Sequence, residues 1–140
     1  MSAVLERPSQ RPLHPLHAFL LAGTVPLFLG VLLNDVAYWL SHEVQWKNFA
    51  SWLIVGGLVF SGFALVRAVI GLLRSHQREG RQIAYVLILL AAFLLGFLNV
   101  LVHSMDAWAS MPAALILSAI VAVFSIAATI LGFSTISRGF

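Results

Sequence analysis

Asn99, His103 and Asp106 are spaced at i, i+4 and i+7, so on a helix an amide, an imidazole and a carboxylate share one stripe and can join by hydrogen bonds. Asp35, Tyr38 and His42 form a second such stripe. If the two stripes face each other, the carboxylates orient the imidazoles and leave a ring nitrogen to hold a metal or carry a proton. In that arrangement His103, Asp106, Asp35 and His42 are the candidate metal ligands, supported by Asn99 and Tyr38. The plainer reading is that all of them lie within a turn or two of a water interface, where charge costs little.

A second histidine pair, His14 and His17, flanks Pro15 near an expected helix start. Two ligands alone make a weak metal site, and an entry turn is the simpler role.

The elements that must position these groups are membrane helices. Apolar residues make up 61% of the 140-residue chain and charged residues only 9%, against about 25% charged in an ordinary soluble domain. Such a chain in water would expose far more apolar surface than a monomer tolerates. The expected class is an all-α, polytopic four-transmembrane-helix bundle. Its spans run at about 19–40, 49–73, 83–105 and 111–136, after an N-terminal segment 1–18 and before a C-terminal segment 137–140.

Charge orients the spans. Arg7, Arg11, Arg67, Arg74, Arg78, Arg81 and Arg138 fall on one side and only Lys47 on the other. The positive-inside rule then places both termini and the second gap in the cytoplasm. The net charge of +3 is thus topological. These arginines flank lipid-spanning segments, so nucleic acid is not the expected partner, whereas anionic lipid headgroups are. The first span is too long for a cleaved signal peptide and ends in Tyr38-Trp39. Trp39, Trp46, Trp52 and Trp108 flank the outer face as an aromatic belt. Without cysteine there is no disulfide or thiolate chemistry.

Depth then sorts the polar residues. Asp35, His42, Glu43, His103 and Asp106 belong to the outer side and His14 and His17 to the inner, so His17 and His103 stand roughly 30 Å apart and cannot ligate one haem iron. A haem held by two histidines would need His103 with His42. Arg67 lies about 10 Å up the second span from Arg74 and can snorkel inward. Small residues four apart form packing seams: Gly57 with Ser61, Ala64 with Ala68, Ala92 with Gly96, Ser118 with Ala122, and Ala128 with Gly132. Pro26 should bend the first span, with Thr24 near enough to satisfy a freed carbonyl.

Several of these residues carry a resemblance. His14-Pro15-Leu16-His17, Asp35, Gln45-Trp46 with Trp52, and the run Asn99, His103, Asp106-Ala107-Trp108, Pro112 and Leu117-Ser118 resemble a bacterial family of small predicted membrane proteins, domain of unknown function number twenty-two thirty-one. Family members commonly carry Gly where this chain has Ala114. The resemblance implies a four-helix inner-membrane domain with no established activity, at times in the company of respiratory or dehydrogenase modules. No catalytic signature stands out, which weighs against an enzyme. The expected function is a non-catalytic accessory or interaction subunit without a cofactor. The alternative is a redox-linked membrane module binding a metal or haem through the outer His/Asp cluster. A transporter would need more mid-membrane polarity than Thr24, Ser61, Ser125 and Thr129 supply.

Overall fold

The structure, a computed structural model, describes residues 14–74, 80–105 and 109–134. Among the described residues there are four helices: α1 (Pro15–Ser41), α2 (Val44–Arg74), α3 (Gly80–His103) and α4 (Ala113–Ser134). Each is long and apolar enough to cross a membrane. Large apolar side chains point outward along all four, among them Leu33 and Leu40 on α1, Phe63 on α2, Leu94 on α3 and Ile130 on α4. In water that surface would be untenable; in lipid it is the solvated face.

Local sequence sets the ends of α1. Pro15 occupies the first turn, where its missing N–H costs nothing, and the His14 ring accepts a hydrogen bond from the Leu16 amide at 3.1 Å. His42 ends the helix in the left-handed region at φ 61°, its amide donating to the Tyr38 carbonyl at 2.7 Å. Only His42 and Glu43 separate α1 from α2. The first gap is therefore shorter than the one left between the expected spans, and Lys47 lies in the opening turn of α2.

The buried positions follow an alternating three-four spacing on every helix. On α1 they include His17, Leu21, Thr24, Phe28, Val31, Asp35 and Tyr38; on α2, Lys47, Ala50, Ile54, Gly57, Ser61, Ala64 and Ala68. On α3 they include Gln82, Tyr85, Leu89, Ala92, Gly96, Asn99 and His103, and on α4 Ala114, Ser118, Val121, Ser125, Ala128 and Gly132. A 3.5-residue period keeps one seam facing the bundle axis, the pattern of coiled-coil packing.

Large residues nest on small ones across that axis. The Phe28 ring lies over Gly57, where a Cβ would come within 2.6 Å of it, and also reaches Gly96. Gly132 is pressed by Leu21 and Tyr85, at 2.5 and 2.9 Å from where its Cβ would be. With no hydrophobic drive between helices in lipid, this close approach supplies dispersion contact. Pro26 lies within α1. The Thr24 hydroxyl donates to the Leu21 carbonyl at 2.7 Å, and Thr129 of α4 reaches the same carbonyl at 3.3 Å. Proline removes the donor for the carbonyl four residues earlier, that of Ala22, so Thr24 serves a neighbouring carbonyl.

α1 packs on α2 and α4, and α3 packs on the same two, which leaves α1 and α3 across the diagonal. These two run parallel. Hydrogen bonds join them at both ends between residues 68 apart, His17 with Tyr85 and Asp35 with His103.

Candidate functional site

At one end of the bundle all four helices send a polar side chain to one point. Asp35 of α1 is fully buried, with 0% exposure. His103, in the last turn of α3, places Nε2 at 2.8 Å from its Oδ1 and 3.0 Å from its Oδ2. Ser118 of α4 donates its hydroxyl to Oδ2 at 2.5 Å and accepts from the Asn99 amide nitrogen at 3.0 Å. Lys47 of α2, 4% exposed, brings Nζ to 3.7 Å from Oδ1 and 5.6 Å from the centre of the Tyr38 ring. A carboxylate buried this deeply demands compensation, and here each of the other three helices provides some of it.

The other nitrogen of His103 is also committed. Nδ1 lies 2.8 Å from the Asn99 backbone carbonyl, one turn back on the same helix. A carbonyl only accepts, so Nδ1 carries a proton and donates it. Both ring nitrogens therefore face protein acceptors, and neither presents a lone pair to a ligand outside the cluster.

Of the residues singled out for chemistry, the fold brings Asp35 and His103 into contact and sets Asn99 and Tyr38 beside them. Asn99 uses its backbone on His103 and its side chain on Ser118, so the stripe is wired differently from the expected chain of side chains. His42 is exposed at the α1 cap, its ring edge-on to Tyr38 with centroids 6.2 Å apart. Asp106 lies outside the described residues, as does Trp108. Among the described residues no three His, Asp or Glu side chains gather closely enough to hold a metal ion.

Two members of the cluster were not expected as site residues. Lys47 read as a loop charge and Ser118 as a small residue in a packing seam. Lys47 nevertheless opens the three-four series that runs through Ala50, Ile54 and Gly57, and Ser118 stands in the run that carries the family resemblance.

At the opposite end the pair that joins α1 to α3 is an imidazole and a phenol. His17 Nε2 and the Tyr85 hydroxyl are 2.6 Å apart, with the rings edge to face at 6.0 Å. Tyr85 is fully buried. Arg81 donates to the Ser134 hydroxyl at 3.2 Å, tying the start of α3 to the end of α4. Arg67 is half-buried, and its Nε has no hydrogen-bond partner among the described residues. By helix rise His17 and Asp35 are about 27 Å apart along α1, close to the thickness of a hydrocarbon core.

Residues 13–138 match the model of the family described as Predicted membrane protein (DUF2231). The chain belongs to this family. Neither a curated protein nor a solved structure matches it. In this DUF2231 member, four of the residues that carried the resemblance, Asp35, Asn99, His103 and Ser118, meet in the buried cluster.

Proposed function

We propose that this integral membrane protein is a non-catalytic accessory or interaction subunit of a bacterial inner membrane. Its termini lie in the cytoplasm and the Asp35 cluster near the outer surface. One observation carries the reading: Asp35 and His103 direct their hydrogen-bonding atoms at groups of the bundle itself. A catalytic or metal-binding histidine keeps one nitrogen for substrate or metal while the other is oriented from behind. Here the second nitrogen is spent on Asp35. The cluster thus serves as an internal clasp that holds four helices in register, and leaves their outer faces to lipid and to a partner. The partner class we favour is a respiratory or dehydrogenase module.

The rival reading, a metal or haem module on His103, Asp106, Asp35 and His42, requires the direct contact between His103 and Asp35 to open so that Nε2 is free for the metal. Metal analysis and a visible spectrum of the detergent-purified full chain decide between them. The clasp predicts a colourless protein without stoichiometric metal. A haem band or one equivalent of metal, lost in His103→Ala, would overturn it.

A further inference from the structure

The hydrogen-bond directions around His103 constrain the number of protons at its contact with Asp35. Nδ1 donates to a carbonyl, so its proton is fixed. A neutral ring would then present the bare Nε2 lone pair to a carboxylate at 2.8 and 3.0 Å, where two acceptors repel. One further proton must lie between them. Two observations place it on the ring: Ser118 donates to Oδ2, and the Lys47 ammonium stands 3.7 Å from Oδ1. Both favour an ionised Asp35. Among the described residues, the charged or titratable groups facing Asp35 from the neighbouring helices are Lys47 of α2 and His103 of α3, while α4 contributes the Ser118 hydroxyl. On α1 itself, Tyr38 turns its ring to Lys47.

We propose that the Asp35–His103 contact is a buried one-proton binding site, in which an imidazolium and a carboxylate bridge the bundle diagonal. Release of that proton converts an attraction between α1 and α3 into a repulsion, while Lys47 and Ser118 keep hold of Asp35. The cluster also has polar capacity left for a route to water. Among the described residues Asn99 Oδ1, on a residue 1% exposed, has no hydrogen-bond partner, and Lys47 Nζ, on a residue 4% exposed, has only its 3.7 Å ion pair with Asp35. Buried polar atoms of this kind are satisfied by internal water, through which a proton can exchange. The inference rests on the clasp geometry of the proposed function, not on the accessory role.

The test is nuclear magnetic resonance of the full chain in detergent micelles. Histidine is labelled with nitrogen-15 and aspartate with carbon-13 at Cγ, and His103 is assigned by its loss in His103→Gln. Near neutral pH, His103 should carry protons on both nitrogens and Asp35 should give a carboxylate signal. In Asp35→Asn, His103 should lose one proton and keep Nδ1–H, because the new amide donates to Nε2. A bare Nε2 in the wild type beside an ionised Asp35 would overturn the proposal, as would a doubly protonated His103 in Asp35→Asn. If either variant fails to fold, the wild-type Nε2 and Cγ signals still decide, with His103 identified, in a sample also labelled with carbon-13 at the asparagine carbonyls, by its coupling to the Asn99 carbonyl. A bare Nε2 in a metal-free protein would overturn the proton assignment and leave the accessory reading intact, whereas bound metal would overturn that reading.

Discussion

The two ends of the bundle solve one geometric problem with different chemistry. At both, a residue of α1 meets the residue 68 positions later on α3 across the diagonal. At the His17 end the pair is an imidazole and a phenol, and its hydrogen bond joins two helices. At the Asp35 end the pair includes a buried carboxylate, and Lys47 and Ser118 draw in the remaining two helices. The difference follows from desolvation: a neutral pair satisfies itself with one hydrogen bond, whereas a buried ion needs counter-charge and several donors.

That contrast ranks the effects of mutation. Asp35→Ala leaves Lys47 and His103 buried without their carboxylate and should cost about 3–5 kcal/mol, the range for breaking a buried ion pair from one side. It is read as a large fall in the thermal aggregation temperature of the detergent-solubilised protein. Gly132→Ala comes next. Its Cβ would collide with Leu21 and with the Tyr85 ring that holds His17, and overpacking of this kind costs about 1–3 kcal/mol. Tyr85→Phe should have the smallest effect, about 0.6 kcal/mol, typical of one side-chain hydrogen bond between membrane helices. A Tyr85→Phe loss equal to that of Asp35→Ala would erase the distinction between the ends.

Much of the architecture was legible in the sequence, because lipid allows few solutions: four apolar stretches of spanning length leave little but a helical bundle. Asp35 and His103 were legible for a related reason, since ionisable residues at the margin of a span attract attention on cost alone. Lys47 was not, because a lysine between two apolar stretches looks like a loop. The turn proved to need only His42 and Glu43, with His42 absorbing the left-handed geometry, so α2 begins early enough to bury Lys47. Ser118 was hidden by its size, which suits close packing as well as hydrogen bonding. Residue spacing along one helix could not reveal that Asn99 would serve His103 through its backbone and Ser118 through its side chain.

The clasp itself is tested most directly by a double-mutant cycle on thermal stability, comparing Asp35→Ala, His103→Ala and the double variant in the full chain. If the two residues are partners across the diagonal, the double variant should be less destabilised than the sum of the singles by about 1–3 kcal/mol. Additivity to within about 0.5 kcal/mol would mean that Asp35 and His103 act independently, and would contradict the account.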